Sequence, residues 1–404
     1  MASHEHAGRR DEDRRLQAAA AAMSRARALE GLLVQRAHDT ELARHVPEAT
    51  MVELRQHDLF RILQPRSYGG AQCDIVTLLD IAATLARADA SVAWTWASLA
   101  SHAWMMGWFG AGAQKQVWGH DAQALIASSL VFPAGHARKV EGGFELSGHW
   151  PFATAAGLCP WILLGAIVMA DDDADDCEYR LLLVPTAKVQ HADNWDAMGL
   201  RGTGSGDVSV QRLLVPDAMS LQASAMAGGP QTGAEPLYSL PVFALYPFVL
   251  AGVALGNAEA CLHEFTGIAR QRAANYNRAK LADFPSIQMR LASAGAKVDA
   301  ARRIMRGTLT EAMDAARAEL APDLMLRARY RRDGAMAVNL CTEAVATLFK
   351  ANGASGLAAA HVMQRQFRDA QAIDAHIAFS FDAAGSMYGR VALGLPIDNP
   401  LLQP

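Results

Sequence analysis

Polar and apolar positions follow two different periods along the chain, and the places where the period changes divide it into three. Up to about residue 120 the spacing is helical. Residues 18–36 are rich in Ala and Leu, residues 75–86 repeat apolar side chains at helical intervals, and residues 91–109 are apolar nearly all round, the pattern of a buried helix. The turn signal PRSYGG at residues 65–70 separates two of these helices. Between about residues 125 and 221 the texture shifts to short β-prone runs at 125–131, 137–140, 144–147, 161–169, 179–184 and 208–215. Turn residues punctuate them, with a hairpin at Glu141-Gly142-Gly143. A small antiparallel β domain is predicted there. After a loop at residues 225–236, long Ala-rich helical segments return at 248–275, 286–317, 325–351 and 362–389, with Gly353 and Gly356 parting the last two. Four such helices with short connections predict an antiparallel bundle. The expected fold is mostly α with a central β domain (α+β), divided into residues 1–124, 125–225 and 226–404.

Composition narrows the partners. The chain has 404 residues, half of them hydrophobic and 19% charged, with a formal net charge of -4. It has no excess positive field to draw nucleic acid or anionic lipid, and no basic stretch interleaved with aromatics. Five widely spaced cysteines, Cys73, Cys159, Cys177, Cys261 and Cys341, contain no CxxC pair, which fits reduced thiols rather than a disulfide framework or a zinc site. The acidic run 171–176 lacks the glycine of a calcium loop and reads as a solvated hairpin tip. No HExxH, GxSxG or metal-spaced Cys/His set occurs, so no metal is expected. The N-terminus has no apolar signal core and residues 161–170 are too few to cross a bilayer. A cytoplasmic protein without membrane or nucleic-acid partners is the expectation.

Four words, in order, resemble the acyl-CoA dehydrogenase superfamily. LFRILQPRSYGG (59–70) is similar to its early turn, and GHWPFATAAG (148–157) to the strand running along the flavin. MGLRGTGSGDVSVQRLLVP (198–216) is similar to the MGxRGTGS segment of the hydroxylase branch. QRQFRDAQAIDAHIAFSFDAAGSMYG (364–389) resembles that branch's final bundle helix, with FRD followed by a histidine. The resemblance implies an N-terminal helical domain, an antiparallel β-barrel-like domain and a C-terminal four-helix bundle. It further implies the oxygenase component of a two-component flavin monooxygenase, such as those acting on p-hydroxyphenylacetate or dibenzothiophene. Dehydrogenases of the superfamily place a glutamate base in a YEG-type word; the corresponding stretch here offers His376 instead.

Such an enzyme takes reduced FMN or FAD from a separate NAD(P)H:flavin reductase. It forms a C4a-hydroperoxide with O2 and hydroxylates a small phenolic or indole-like substrate, as a homotetramer in the resembling enzymes. That oxidant survives only in a dry cavity with the flavin N5 proton held. By resemblance Thr154 contacts N5 beside Phe152, and Ser129 supplies a second hydroxyl. His376 manages a proton near the reacting carbon, on a helical face with Asp369, Ile373 and Ser380. His102, with Trp104 and Met105 in a Trp-rich helix, holds the substrate. Thr203 and Ser205 belong to a turn beside the flavin ring. The string GTGSGD fails the dinucleotide GxGxxG pattern because Asp207 stands at the last glycine. Arg272 and Tyr276 reach flavin phosphate. The rival readings are an acyl-CoA dehydrogenase with Asp374 or Asp382 as a displaced base, S- or N-oxygenation on the same scaffold, and a non-catalytic protein of this fold.

Overall fold

A computed structural model describes residues 2–169, 177–230, 235–273, 279–397, 399 and 401–402, with side chains from residue 12 onward. Tyr276 and the acidic run 171–176 lie outside the described residues. The chain opens with helices α1 (Ala2–Ala43), α2 (Glu48–Gln56), α3 (Ile75–Ala88), α4 (Ala90–Met106) and α5 (Ala111–Trp118). Every residue of α4 is buried, as its nearly all-round apolar pattern predicts. Asp89 starts this helix by accepting the Ser91 and Val92 amides on Oδ1, at 2.8 and 3.1 Å.

Eight strands follow: β1 (Ile126–Ser129), β2 (Gly135–Val140), β3 (Gly143–Trp150), β4 (Trp161–Met169), β5 (Cys177–Pro185), β6 (Gln190–Ala192), β7 (Asp207–Pro216) and β8 (Ser220–Gln222). Their order is β6-β7-β3-β2-β4-β5-β8, with β1 also on β4. The β2–β3 hairpin turns at Gly142, whose φ of +80° suits glycine. The sheet is mixed rather than antiparallel, because β4 runs parallel to both β1 and β2. The chain goes from each of them to β4 by a crossover, which reverses direction twice and leaves the strands aligned. β4 is nearly continuously apolar because it lies inside the sheet with both faces covered. The end strands β6 and β8 are only three residues long, which limits the exposed edge.

The helices α6 (Val242–Gln271), α7 (Pro285–Arg317) and α8 (Leu324–Asn352) pack on one another, and α9 (Val362–Asp374) and α10 (Phe381–Ala392) pack on α8. The predicted single helix over 362–389 is therefore two, broken at His376. α6 is long and apolar enough to cross a membrane, yet 89% of its most hydrophobic window is buried inside the protein. Its glycines explain how closely it packs. A Cβ on Gly256 would stand 2.0 Å from the Ala83 carbonyl oxygen, and one on Gly252 2.6 Å from that of Leu79, so α3 and α6 touch backbone to side-chain-free backbone. Pro247 sits inside α6 and has no N–H to give the Phe243 carbonyl; Arg331 of α8 donates to that oxygen instead, at 2.8 Å. Buried side chains from α1 through the last described residues form one continuous core.

Candidate active site

Two turns from the sheet meet above the helices. The first leaves β3 at residues 151–156, and the second, residues 193–206, joins β6 to β7. They are tied by the Ala153 amide, which donates to the Gly206 carbonyl at 2.8 Å. Phe152, Ala155 and Leu200 all hold positive φ (63°, 53° and 49°) without being glycine, and Gly204 holds 57°. Left-handed non-glycine residues each cost about 1–3 kcal/mol, and such strain gathers at ligand sites. The sequence predicted neither the strain nor how the turns are held.

Between the turns runs a chain of three buried hydroxyls. Thr203 Oγ1 donates to the Leu200 carbonyl at 3.0 Å. Its single proton is thereby used, so at the 2.7 Å contact with Ser205 it accepts. Ser205 then has no proton left for its 2.9 Å contact with Thr154, and Thr154 must be the donor there. The direction of every bond follows from the first one. Thr154 is left with free lone pairs and no free proton: outward, it can only accept.

The second turn has little secondary structure of its own, and side chains from α4, α9 and the residue that follows α1 hold its backbone. Arg44 donates to the Trp195 carbonyl at 3.2 Å and Arg368 to that of Met198 at 2.7 Å. Asp369 accepts the Leu200 amide at 2.7 Å, and Ser91 Oγ that of Gly202 at 3.2 Å. Asp369 is buried, which pushes its carboxyl up to about 6; the Leu200 amide and the guanidinium groups of Arg365 and Arg368 act against that rise. Neighbouring Asp89 is pushed up to about 7 by burial, against the pull of its Val92 and Ser91 amide bonds, with Asp369 adding repulsion. Its Oδ2 has no hydrogen-bond partner among the described residues.

His376 lies where α9 has already ended. It is not on a helical face with Asp369 and Ile373: its φ and ψ are -70° and 135°, and its Nδ1 accepts the Ala378 amide at 3.2 Å, opening a short turn (Ile377–Phe379) before Ser380 caps α10. The side-chain cap replaces the helical bond, and Asn339 braces both sides of the break through the Asp374 carboxylate and the Phe379 carbonyl. The ring packs edge-on to Trp94, with centroids 5.5 Å apart. Burial, and secondarily the charge of Arg331, lowers its pKa to about 4. At neutral pH the ring is uncharged. Because Nδ1 accepts, Nε2 carries the proton and is a donor.

His102 is in a different situation. Its Nδ1 meets the Ile126 carbonyl at 2.6 Å and its Nε2 the Ser128 hydroxyl at 2.7 Å, so both nitrogens are used within the protein, and burial lowers its pKa to about 4. Trp104 and Met105, expected beside it on the substrate wall, are enclosed in the same way. Neither has accessible surface, and the Trp104 indole donates to the Leu237 carbonyl at 2.8 Å. Trp94 is the tryptophan of α4 that meets His376.

Ser129 donates to the Pro151 carbonyl at 2.7 Å, anchoring the start of the first turn to β1. Phe152 is 62% exposed, with its ring edge-on to Trp195. Arg272 is distant in role: its guanidinium grips Asn352 at the end of α8, through Oδ1 at 2.8 Å and the carbonyl at 2.7 Å. Of the two candidate displaced bases, Asp374 is held by Asn339 at 2.7 Å, and Asp382 is exposed in the first turn of α10. Among the described residues no cluster of His, Cys, Asp and Glu could hold a metal ion.

The family models for the acyl-CoA dehydrogenase N-terminal and C-terminal domains match residues 11–122 and 248–381. Over 94% of its length the chain is 33% identical to the flavin-dependent monooxygenase oxygenase subunit HsaA of Rhodococcus jostii (strain RHA1), covering all of that protein. It is 32% identical to the oxygenase component of FADH(2)-dependent resorcinol hydroxylase from Rhizobium sp. (strain MTP-10005), over 89% of this chain and 90% of that one. XiaF from Streptomyces sp., solved with FADH2 and glycerol, superposes with a TM-score of 0.89 at 26% identity, over 96% of this chain and 99% of that one.

Proposed function

Since the chain belongs to the oxygenase components of the flavin-dependent monooxygenases, on the acyl-CoA dehydrogenase fold, we propose that it hydroxylates a small phenolic or indole-like aromatic at the junction of the two turns and His376. Reduced FMN or FAD, when bound, supplies the electrons that activate O2. The observation that carries this reading is the polarity of the hydroxyl chain. Reduced flavin presents an N5–H donor, and Thr154 offers an acceptor with no competing proton. That is the fit an oxidised flavin, with a bare N5, would lack.

The remaining roles follow from what each side chain has free. Thr154 accepts and holds the N5 proton, while Ser205 and Thr203 orient its lone pairs. Phe152 and Trp195 offer apolar surface beside it, and Ser129 fixes the loop that carries Thr154. His376 donates through Nε2, to a substrate hydroxyl or to the oxygen being transferred, and stays neutral while doing so. Arg272, through its remaining N–H groups, and Tyr276 take the flavin phosphate on this reading, the role that the family resemblance implies. On the same reading the sheet closes in a barrel-like form, and α6–α8 with α9–α10 make the four-helix bundle. The assembly is a cytoplasmic homotetramer served by a separate NAD(P)H:flavin reductase.

The test is to mix anaerobic protein with chemically reduced FMN or FAD, add oxygen, and follow flavin absorbance and hydrogen peroxide. The expected result is tight binding of one reduced flavin and slow peroxide release. Thr154→Ala should speed peroxide release roughly tenfold or more, and Thr154→Ser should largely restore wild-type behaviour. Failure to bind either reduced flavin, or reduction of bound FAD by an acyl-CoA, would overturn the proposal.

A further inference from the structure

Three neighbouring strands carry a second polar constellation, on the solvent face of the sheet. β7 runs between β3 and β6, and Ser209 stands in register with His149 on one side and Gln190 on the other. Register partners project to the same face, so these three side chains form a row with Ser209 in the middle. Asp207, two residues earlier on β7, shares that face, while Val208 and Val210 between and beyond are buried on the other. His149 Nδ1 meets Ser209 Oγ at 2.8 Å, and its Nε2 meets Asp207 Oδ2 at 3.1 Å. Asn194 clamps the carboxylate: its Nδ2 donates to the same Oδ2 at 2.9 Å, and its Oδ1 accepts the Asp207 amide at 3.0 Å.

The protons fix the direction of each bond. Ionised Asp207 can only accept, so Nε2 of the neutral imidazole carries the hydrogen. Nδ1 is then a bare lone pair, and Ser209 must donate its O–H to it. Either ring nitrogen can serve as base, provided that the other gives its N–H to a carboxylate. Gln190 adds a fourth part. Its side chain is exposed and has no hydrogen-bond partner among the described residues, which leaves an amide donor beside Ser209 on the side away from the base. The backbone ladders already join these strands, so pairing them does not require the row. Nucleophile, base, orienting carboxylate and oxyanion donor are the components of acyl transfer.

We propose that Ser209 is the nucleophile of a second site, on this face, which hydrolyses small activated carboxylic esters such as aryl acetates. Ser209 Oγ attacks the ester carbonyl carbon while its proton passes to His149 Nδ1. The bond to the aryloxide breaks, the aryloxide leaves with that proton, and an acyl ester of Ser209 remains. Water attacks this ester, giving a proton to Nδ1; the carboxylic acid departs as the proton returns to Ser209 Oγ. The sum is ester plus water to acid plus phenol, with no change in oxidation state. Asp207 balances the charge that His149 gains in each half, and Gln190 donates to the carbonyl oxygen as it becomes negative. An open strand surface holds a small substrate loosely, which suits a good leaving group. No flavin contact enters the proposal, so it stands or falls apart from the oxygenase reading.

The experiment gives the full-length protein 4-nitrophenyl acetate near neutral pH, follows 4-nitrophenolate, quenches in acid and maps acetyl groups by peptide mass spectrometry. Wild type should show a burst of about one equivalent per chain and carry acetyl on Ser209. Ser209→Ala should abolish the burst. His149→Ala, Asp207→Asn and Gln190→Leu should each slow acetylation of Ser209 roughly tenfold or more, while Asp207→Glu, which keeps a carboxylate for Nε2, should recover part of the rate. The four side chains lie at the surface, so thermal melting and reduced-flavin binding of the Ser209 and His149 variants should match wild type. Acetyl groups on lysines with none on Ser209, an undiminished burst in Ser209→Ala, or acetylation of Ser209 at the wild-type rate in His149→Ala would each overturn the proposal.

Discussion

Asp369 separates the two ways in which a buried carboxylate can matter, because one oxygen does a specific task and the charge as a whole is unwelcome. Its Oδ1 accepts the Leu200 amide at 2.7 Å, and Leu200 in turn provides the carbonyl that sets the direction of the Thr203–Ser205–Thr154 chain. Burial raises its pKa from 3.8 to about 6, an interval worth about 3 kcal/mol at about 1.36 kcal/mol per pH unit. A raised carboxyl favours the folded state below pH 3.8 and loses that advantage as pH rises through 6, so the ionised form is the costly one. Asp369→Asn keeps the acceptor and removes the charge. It should stabilise the protein by up to about 3 kcal/mol at pH 8 and by about 1 kcal/mol at pH 4.5. Asp369→Ala removes the acceptor as well, leaving a buried N–H that costs about 1–3 kcal/mol, so it should sit below the asparagine variant by that amount at both pH values. Thermal melts at pH 4.5 and 8 read both differences, and peroxide release per substrate hydroxylated reads the turn. Only the alanine variant should lose coupling. Equal stability of the two variants, or an asparagine gain that does not grow with pH, would refute the assignment.

Other outcomes follow from the same contacts. Asp89→Asn keeps an oxygen for the Ser91 and Val92 amides and removes a carboxylate pushed up to about 7. Its stabilisation, a few kcal/mol at pH 8, should largely vanish at pH 4, as urea titrations at the two pH values would show. His376→Ala should raise peroxide release at the expense of product. Because burial holds His376 near 4, wild-type coupling should show no step near pH 6.5; a step there that disappears in the variant would contradict the neutral-donor role. Gly256→Ala would place a Cβ 2.0 Å from the Ala83 carbonyl oxygen, and should lower stability by about 1–3 kcal/mol or more, measurable as a fall in melting temperature.

Helix, sheet and helix were legible in order because each rests on a local period, and the Gly142 turn because its glycine sits between two alternating runs. Strand direction was not. β1 and β2 both align with β4, and nothing within a strand records which distant neighbour it will run beside. The sequence reading begins α6 at residue 248, just past Pro247. The helix instead begins at Val242, and the Phe243 carbonyl that Pro247 cannot serve is met by an arginine 88 positions beyond Phe243. The break at His376 had a local signal that was passed over: Ser380 ahead of Phe381-Asp382 is a helix start, which requires the preceding helix to have stopped.

His102 and His376 show what residue type and family position leave open. Both are imidazoles in apolar surroundings, and burial depresses both to about 4, yet their chemistry differs completely. His102 has its two nitrogens engaged by residues 24 and 26 positions away, which turns it into a pin between α4 and β1. His376 spends only Nδ1, on a backbone amide two residues ahead, and keeps Nε2–H available. The sequence can place a histidine beside Trp94; it cannot say how many of its nitrogens are left over. On the function proposed above, this site works through that remainder, in the free lone pairs of Thr154 and the free Nε2–H of His376. The remainder is set by tertiary partners far along the chain. Substituting a partner should therefore alter the chemistry as surely as substituting the residue itself: Ser205→Ala, which touches no ligand on this reading, frees the Thr154 proton and should speed peroxide release in the same direction as Thr154→Ala. Peroxide release at the wild-type rate in Ser205→Ala would show that the direction of the hydroxyl chain has no part in holding N5–H.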